Sequence, residues 1–440
     1  MGGKNKQDAK LEEENKRLKR ENERLKKENE KLKKRLRFYE NPHTPPSRLK
    51  LKQRTPQKKP KKRGAPVGHK GTTRRTPTPT RFIDVVEREC PYCHGKLGEP
   101  VKVRSKITEE MPEPPPPEAI QFNIAEYKCP SCGKKVVAKH PECPRQGRFG
   151  VRMLSMIVFL QIFMRGVTRK VPAFLRYQNG MDLSPASCSN ILSRIGKVCQ
   201  REYDELKERI RKSSVVYADE TSISVMGKRY WIWIFRSGSE VLIAIRKSRG
   251  GQVLEEVLGA EWKGIIVCDG WGAYRRLEKA TLQRCWSHLI REAKDQEGTV
   301  PGRHLYQKLV LLFKEIKVFK KSEPDDGMRQ VKHDELMTEL MKLTAYYRRY
   351  PYLNKLLTYI ENGGSAWFTC ILHEDVEPTN NFAEQSLREM VILRNIIGAI
   401  RSENVSKYEN TCSLFATWKL KKEDAFANLK RIISKQYCMS

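Results

Sequence analysis

Three carboxylates in this sequence have the residue type and the surroundings of divalent-metal ligands. Asp219 lies in the segment VVYADET, Asp269 ends the apolar run GIIVCD, and Glu384 follows a predicted helix cap in EPTNNFAEQSLR. Carboxylates that converge repel one another unless cations neutralise them, and such hard oxygen ligands suit Mg²⁺ or Mn²⁺. Two ions held in this way activate the attacking oxygen and stabilise the leaving oxygen of a phosphodiester displacement. We therefore predict a catalytic metal site formed by Asp219, Asp269 and Glu384.

The adjacent acid, Glu220, is expected to have another role. Successive side chains of a strand point to opposite faces, so Asp219 shares one face with Val215 and Tyr217, and Glu220 points to the other. The two neighbouring acids cannot easily serve one site. We expect Asp219, at the end of its strand, to bind metal and Glu220 to support the site from elsewhere.

The strands that must position these acids follow one another in a characteristic order. Strand-like patterns occupy residues 215–219, 229–235, 240–245 and 264–269, with a short helix at 252–258 before the fourth strand. Three strands in a meander, a helix and a buried strand are the order of a ribonuclease-H-like α/β domain. Its first and fourth strands are neighbours, which would bring Asp219 and Asp269 together. Gly270 and Gly272 would leave room there for a ligand, and further strands are predicted at 282–285 and 367–372.

The segment CWSHLIRE adds a second cluster of polar residues at the start of a predicted helix. Cys285 and His288 would need two more ligands to complete a metal site, and simple packing is another alternative. We favour a position beside the carboxylates, with His288 in catalysis and Arg291 in contact with phosphate. Arg388 is a further predicted contact with nucleic acid.

Two Cys-x-x-Cys motifs, CPYCHG and CPSCGK, predict a structural zinc site. The four thiolates of Cys90, Cys93, Cys129 and Cys132 could surround Zn²⁺ tetrahedrally, and each motif is followed closely by Gly. The 35 residues between the pairs include PEPPPP, so we expect a zinc ribbon with an extended excursion. Substitute ligands in the same region, which we expect to be bystanders, are His94, His140 and Cys143.

The chain is strongly basic and long enough for about three domains. Its 440 residues carry 86 Lys and Arg against 52 Asp and Glu, a formal net charge of +34. Such a charge suits a polyanion, and DNA is the partner that we expect. The apolar run at 153–164 is shorter than the ~20 residues of a membrane span, so it predicts a buried helix and no membrane partner. The sequence opens with a charged helix and not with a cleavable signal, which predicts a cytoplasmic location.

The N-terminal residues predict a dimer and a DNA-contacting arm. Leucine recurs every seven residues, at Leu11, Leu18, Leu25 and Leu32, and Asn, Glu and Lys recur in the same period. This heptad predicts a parallel coiled coil over residues 1–40, and hence a homodimer, whereas a solvated single helix is the alternative. Residues 41–80 contain 12 Lys or Arg and no Asp or Glu, which indicates either a basic arm or a solvated linker. The arm residues suited to a DNA groove are Arg63, His69, Lys70 and Arg74.

A helical region follows the zinc motifs. In residues 146–213, Asn179 and Gly180 end one predicted helix, and Ser184 and Pro185 begin the next. Two helices joined by a short turn are either a helix-turn-helix that contacts the DNA major groove or part of a packed bundle.

Several of these segments, in this order, resemble the DDE transposases of the insertion-sequence-66 type. The similarity is carried by YADET, SRGGQVLEEVLG, CDGWGAY, QRCWSHLIRE and, above all, EPTNNFAEQSLR, and it extends from the heptads to Ser402. The resemblance matches Asp219, Asp269 and Glu384 to the catalytic acidic triad. Cys285 and His288 resemble a Cys-x-x-His signature near the active site of related transposases.

The resemblance implies a multidomain α/β architecture with a ribonuclease-H-like catalytic core and an all-helical insertion. The expected order is coiled coil (1–40), basic arm (41–80), zinc ribbon (81–145), helical domain (146–213), first part of the core (214–296), insertion (297–365), last part of the core with the acidic helix (366–400), and a Lys-rich C-terminal tail (401–440).

The function that the resemblance implies is DNA transposition. The protein would bind the terminal inverted repeats of a mobile element, hydrolyse a phosphodiester at each end, and join the released 3′-hydroxyl to target DNA. The resemblance also implies Mg²⁺ or Mn²⁺ in the active site, structural Zn²⁺, a second copy of the chain and small accessory proteins. It further implies that the protein associates with a prokaryotic nucleoid. Two alternatives stay open: a non-catalytic DNA-binding regulator derived from a transposase, and a structure-selective nuclease that cuts without joining.

Overall fold

The computed structural model describes residues 75–111 and 113–439, together with helical positions between residues 13 and 32. The chain divides into two compact units, residues 1–113 and 114–440, which we describe separately. No helix in the described part of the chain is long and apolar enough to cross a membrane.

The first unit contains the heptad segment. Its described residues between 13 and 32 are helical, and the side chains of Leu18, Leu25 and Leu32 are exposed by 51%, 50% and 49%. The described part of the chain therefore does not bury these leucines, and their pairing with a second copy stays a prediction. The predicted arm contacts Arg63, His69, Lys70 and Arg74 lie outside the described residues.

The second unit contains two sheets. The first is an antiparallel hairpin of β1 (Glu126–Lys128) and β2 (Lys135–Val137). The strands of the second are β3 (Val215–Val225), β4 (Lys228–Ser237), β5 (Glu240–Arg246), β6 (Ile265–Cys268) and β7 (Thr281–Arg284). They lie in the order β5-β4-β3-β6-β7. β3, β4 and β5 are antiparallel neighbours, whereas β6 is parallel to both β3 and β7. The predicted meander, and the predicted pairing of the first strand with the fourth, are confirmed.

Helices cover both faces of the five-stranded sheet. In chain order they are α1 (Val151–Ile162), α2 (Val171–Asn179), α3 (Pro185–Val198), α4 (Gln200–Arg211), α5 (Gln252–Leu258), α6 (Trp286–Lys294), α7 (Val300–Lys321), α8 (Asp326–Tyr347), α9 (Asn354–Glu361), α10 (Thr369–Leu372), α11 (Asn381–Ile397), α12 (Ser406–Lys421) and α13 (Ala425–Ile433). The apolar run that was too short for a membrane span is α1, a largely buried helix, as predicted.

The sheet separates two hydrophobic cores. Val216 and Ala218 of β3 pack in one core, with α1, α3, α4, α5 and the C-terminal helices. Tyr217, on the opposite face of β3, packs in the other core with the helices of the insertion. The alternation predicted for VVYADET is therefore confirmed, and it follows from the period of two of an extended chain.

The helical region before the sheet has the predicted boundaries. Gly180 ends α2 in the left-handed conformation, at φ 67°, and the Ser184 side chain accepts a hydrogen bond from the Ser187 amide at the start of α3. α3 is packed closely against α12, since a Cβ on Gly196 would lie 2.5 Å from Cα of Lys407. Whether α2 and α3 contact DNA as a helix-turn-helix stays a prediction.

The insertion is helical, as predicted, but the strand predicted at residues 367–372 is wrong. A 3₁₀ turn, Gly364–Trp367, and the short helix α10 occupy this stretch. The ammonium group of Lys320 donates to the carbonyls of Cys370, His373 and Glu374, at 2.8, 3.1 and 2.9 Å. A side chain from α7 therefore satisfies backbone acceptors that a strand partner would otherwise have to satisfy. A short apolar run does not distinguish these outcomes by its period.

The residues expected to form a Lys-rich tail instead complete the first core. Phe415, Trp418, Leu429 and Ile433 are buried, while lysines such as Lys419 and Lys430 are exposed. α13 is amphipathic, whereas α12 is buried on nearly all sides between residues 409 and 418, so the lysine content concealed segments that belong to the core.

α12 also covers the edge strand β5 in an unusual way. The amides of Val241, Ile243 and Ile245 donate to the side chains of Thr417, Ser413 and Glu409, at 3.1, 2.9 and 2.6 Å. The acceptors are four residues apart, which puts them on one face of the helix, and alternate amides of an edge strand point outward. Side chains of one helix thus take the place of a sixth strand.

We expect Thr417→Val to destabilise the second unit. The Thr417 hydroxyl serves both the amide and the carbonyl of Val241, and burying such groups without partners costs about 1–3 kcal/mol. Urea unfolding should show this loss, and hydrogen exchange in the β5 peptide should accelerate. Thr338→Val, the same change at an exposed position of α8, is the matched control and should alter stability by about 0.5 kcal/mol or less. Equal behaviour of the two variants would contradict the bridging role of Thr417.

Candidate active site

The first acid of the site, Asp219, lies in the middle of β3. The sequence suggested that the strand ends there, but β3 runs on to Val225 because its antiparallel pairing with β4 continues to that residue. The parallel partner is much shorter: β6 pairs with β3 only as far as Val267 opposite Tyr217. In the described structure this edge of β3 has no strand partner from residue 218 to residue 223, before Ile400 forms an isolated parallel bridge with Val225. Asp219 lies at the start of this free edge.

The second acid, Asp269, follows the last residue of β6. Because Val267 lies opposite Tyr217 in the parallel register, Asp269 comes beside Asp219. Its carboxylate accepts a hydrogen bond from the amide of Trp271, at 2.8 Å, which fixes it in the tight turn after the strand. The predicted proximity of the two acids is therefore borne out by the register.

The third acid, Glu384, is brought to this edge by α11. Asn380 donates from its side chain to the carbonyl of Ala218, at 2.7 Å, and Arg394 donates to the carbonyl of Ser222, at 2.6 Å. The two contacts attach the beginning and the end of α11 to the free edge of β3. Glu384 lies in the first turn of the helix, between them.

The turn before α11 is attached to the start of α6 as well. The Asn380 amide donates to the sulfur of Cys285, at 3.2 Å, and the Trp286 amide donates to the carbonyl of Pro378, at 3.0 Å. As a result, His288 lies beside Glu384, with 3.8 Å between Nδ1 and Oε1. His288 thus lies next to the carboxylates, where the sequence predicted it.

Electrostatics distinguish Asp219 from an ordinary surface acid. Burial, together with the negative charges of Glu220, Asp269 and Glu384, raises the pKa of Asp219 to about 7. A hydrogen bond from the Glu220 amide, at 2.9 Å, opposes this rise only in part. The protein itself therefore leaves the charge of Asp219 poorly compensated.

The negative charge of Glu220 is balanced by hydrogen-bond donors of the protein, in contrast to that of Asp219. Its side chain is fully buried, and it accepts hydrogen bonds from Arg249, at 2.8 Å, and from the Tyr274 hydroxyl, at 2.7 Å. Burial raises the pKa of Glu220, while these two partners act to lower it. The supporting role expected for Glu220 corresponds to this buried ion pair, which lies on the opposite face of β3 from Asp219.

The space beside Asp269 is partly occupied by the insertion. A Cβ on Gly270 would lie 2.2 Å from the ring of Tyr359 in α9. The expectation that Gly270 leaves room for a ligand is therefore wrong, because this glycine instead allows a close approach of the tyrosine. No atom lies within 4 Å of a Cβ built on Gly272 in the described structure, so the expected space is present there.

Buried polar atoms without a hydrogen-bond partner lie at the site. Among the described residues, Oε1 of Glu384, Nδ1 of His288 and Oδ1 of Asn380 are buried without a hydrogen-bond partner. Asp219, Asp269 and Glu384 offer the hard oxygen ligands that suit Mg²⁺ or Mn²⁺, although among the described residues their oxygen atoms do not all lie within 4.8 Å of one another.

Cys285, His288 and Glu384 form another group that could hold a metal, with ligand atoms within 4.8 Å of one another. Burial raises the pKa of the Cys285 thiol, although a thiolate is the form that binds metals. Its sulfur also accepts the Asn380 amide. We therefore interpret Cys285 as a residue that fixes the turn before α11, and not as a metal ligand.

The other predicted contacts lie on the surface. Arg291 and Arg388 are exposed and form no ion pair with a described carboxylate. Their contact with phosphate stays a prediction.

The two Cys-x-x-Cys motifs, each in its own unit, have the same local geometry. The Cys90 amide donates to the carbonyl of Gly95, at 2.8 Å, and the Cys129 amide donates to that of Lys134, at 2.9 Å. Hydrogen bonds from backbone amides lower the pKa of the thiols of Cys90 and Cys129, chiefly those of Tyr92 and Cys132. Amides directed at sulfur favour the thiolate, which is the form that binds zinc.

The model of the IS66 transposase family matches residues 146–407. The chain belongs to the IS66 family of transposases. The matched region contains the whole five-stranded sheet, the insertion and all three acids of the site. It ends at the start of α12, so that the helix which seals the sheet edge lies almost entirely beyond it.

A curated relative of this IS66-family chain is the protein named "Uncharacterized protein y4qI" of Sinorhizobium fredii (strain NBRC 101917 / NGR234). The two are 24% identical over 258 residues, which cover 49% of this chain and 44% of the relative. The chain thus spans less than half of the length of this relative.

Several residues important to this IS66-family site were not predicted from the sequence. Asn380, Arg394, Arg249 and Tyr274 hold the acids or their supports. The helix cap predicted in EPTNNFAEQSLR is Asn380 or Asn381, and the Asn380 side chain does not cap α11. The adjacent asparagines before an acidic helix were the available signal, whereas the arginines could not be distinguished among the 86 Lys and Arg of the chain.

We expect Asp219→Asn to change the pH dependence of stability. In the metal-free protein, a folded-state pKa near 7 means that Asp219 stays protonated as pH rises from about 4 to 7, while the unfolded chain loses that proton. Wild-type stability should therefore fall through this window, by a few kcal/mol at most, since one unit is about 1.4 kcal/mol. Asp219→Asn should lack this component, which urea unfolding at several pH values will measure.

The same two proteins test metal binding. Mg²⁺ or Mn²⁺ should raise the melting temperature of the wild type, because a ligand that binds the folded state stabilises it. The increase should be strongly reduced in Asp219→Asn. An equal increase in both proteins would exclude Asp219 as a ligand.

Proposed function

We propose that this protein is a DNA transposase with a ribonuclease-H-like catalytic core. It would bind the terminal inverted repeats of its element, hydrolyse a phosphodiester at each end, and transfer the released 3′-hydroxyl to target DNA. The observation that carries this proposal is the placement of Asp219, Asp269 and Glu384 around one edge of β3, close enough for the charges of the other two to raise the pKa of Asp219, within a chain of a transposase family. The strand order, with three antiparallel strands followed by two parallel ones, supports the assignment of the core.

The three acids would act as ligands of Mg²⁺ or Mn²⁺, which would supply activation of the attacking water and stabilisation of the leaving oxygen. The chain itself contributes the arrangement of the ligands. Asn380 and Arg394 hold α11, and thus Glu384, at the edge of β3, and the Trp271 amide orients Asp269. His288 would restrain the Glu384 carboxylate that it approaches, or contact the phosphate.

DNA binding would rest on surfaces outside the acidic centre. A net charge of +34 favours binding to phosphate through the release of counterions. Arg291 and Arg388, which are exposed on α6 and α11 next to the site, would hold the strand that is cut. The basic arm, the zinc ribbon and the helical domain would recognise the repeats, and the coiled coil would pair two copies so that both ends are held together.

Cleavage of DNA from the ends of the element tests this proposal. We expect purified wild type with Mg²⁺ or Mn²⁺ to cut duplexes taken from both sides of the coding sequence and to join them to a plasmid. Asp219→Asn and Glu384→Gln should lower cleavage by about a thousandfold or more, because each removes a charge that the cation requires. Both should still bind the duplex in gel-shift assays. Glu374→Gln, at an exposed acid before α11, is the control and should cut normally.

The outcomes separate the alternatives. Binding of the end duplex by pure wild type without cleavage, in the presence of the element's other products, would favour a DNA-binding regulator. Cleavage without joining would favour a nuclease. Undiminished cutting by both triad variants would refute the assignment of the catalytic acids.

We further propose that Cys90, Cys93, Cys129 and Cys132 share one structural Zn²⁺. The spacing in the sequence and the thiolate-stabilising turns of the two motifs support this. Purified protein should contain one zinc per chain, measured by metal analysis after gel filtration. Cys129→Ser should lose it, whereas Cys188→Ser, at a cysteine buried in α3, should retain it. Retention of zinc by Cys129→Ser would contradict the assignment.

A further inference from the structure

An aromatic side chain of the active-site turn is exposed, and the proposed reaction gives it no role. Trp271 follows Asp269 by two residues, and 43% of its side chain is exposed. Large aromatic side chains bury most of their surface in folded proteins, so an indole held open beside a catalytic acid requires an explanation. We propose that Trp271 stacks on an unstacked base of the DNA strand at the position of cleavage.

The position of Trp271 relative to the site is set by a direct hydrogen bond. Its amide donates to Oδ1 of Asp269, at 2.8 Å. Trp271 therefore lies in the same turn as Asp269, and the proposal puts a nucleotide adjacent to the cleaved phosphate against its indole ring. The inference rests on the proposed function, since it needs a DNA strand at the acids.

The indole is held rigidly. Its ring N–H donates to the carbonyl of Arg249, at 3.2 Å, and the Arg249 guanidinium lies over the ring, 4.1 Å from its centroid. The same guanidinium lies 4.8 Å from the centroid of Trp231. Arg249 thus lies against both tryptophan rings and leaves part of the Trp271 ring open. A ring that is fixed before binding loses little conformational entropy when a base stacks on it.

The buried ion pair explains why the arginine stays in place. Glu220, whose side chain is fully buried, accepts from Nε of Arg249 and also approaches a terminal nitrogen at 2.7 Å. The Tyr274 hydroxyl donates to the other oxygen of the same carboxylate. Glu220 is therefore a positioning residue: it anchors Arg249, and Arg249 supports Trp271.

The chemistry of the surface fits a nucleobase. Every base offers a π-face, so stacking on an indole tolerates any sequence, as is needed where flanking DNA varies from one insertion to another. A base must leave the double helix to be stacked in this way, and unstacking is easiest at a strand end or at a distorted step. Arg249 adds a cation behind the ring, where its charge is balanced by Glu220 and does not trap phosphate.

Binding measurements with single-site DNA lesions test this inference. The probe is the end duplex that spans the mapped cleavage position, bound to Glu384→Gln so that it stays uncut. Adding Trp271→Ala should weaken binding about ten- to a hundredfold, the range for one base stacked on an aromatic ring, whereas Trp271→Phe should lose much less. Tyr346→Ala, at an aromatic residue of α8 that is 54% exposed, is the control and should bind normally.

A set of duplexes, each lacking one base near the cut, supplies a readout that a merely structural role would not alter. At one position, removal of the base should weaken binding to Glu384→Gln and leave binding to the Trp271→Ala double variant unchanged, because the two changes remove the same contact. 5-Iodouracil at that position should photocrosslink to residue 271.

Equal binding with and without Trp271, additive losses at every position, or crosslinks to other residues would overturn the inference while leaving the transposase proposal intact. Failure of wild type to cut the duplex in Mg²⁺ or Mn²⁺, together with failure of Glu384→Gln to bind it, would instead refute both. The melting temperatures of the Trp271 variants, with and without Mg²⁺, verify that the fold and the metal site persist.

Discussion

The arrangement of the site depends on the early end of one parallel strand. β6 stops at Cys268, whereas β3 continues with β4 to Val225, so that one side of β3 has backbone groups without a strand partner. Buried backbone acceptors must be satisfied, and α11 does this with side chains at each of its ends, Asn380 and Arg394. The helix that carries Glu384 therefore lies where the backbone of β3 requires it, and the convergence of the acids follows from this requirement.

Much of this arrangement could be predicted from the sequence, for identifiable reasons. Strands have a period of two and the β3–β7 segments alternate or are continuously apolar, so their order and the face of Asp219 follow from local patterns. The contacts that complete the site depend on tertiary structure. Tyr359 packs against Gly270, and the Asn380 amide donates to the Cys285 sulfur. Each contact joins residues about a hundred positions apart, and no local pattern indicates such a partner.

The two incomplete predictions outside the site have one physical origin. In both cases the contacts come from a distant part of the chain. Lys320 binds backbone carbonyls of the segment around residues 367–372, and the edge strand β5 donates to side chains of α12. Intrinsic preference is weak compared with such tertiary contacts. Composition was therefore a poor guide there, and a Lys-rich segment was in fact a helix that closes the sheet.

The adjacent acids of β3 show how a protein can provide hydrogen-bond donors for one carboxylate, Glu220, and leave the next, Asp219, available to a cation. The partners of Glu220 neutralise it within the fold, and a metal could bind it only by displacing Arg249 and Tyr274. Within the described part of the chain, Asp219 has a single amide as its donor and three acids around it, so a cation is the partner that would relieve the repulsion. The strong positive charge of the chain does not remove this repulsion, because arginines near the site are engaged with Glu220, with β3 and with the start of α11. An acidic centre can thus persist in a basic protein because the arginines nearest to it are held in structural contacts.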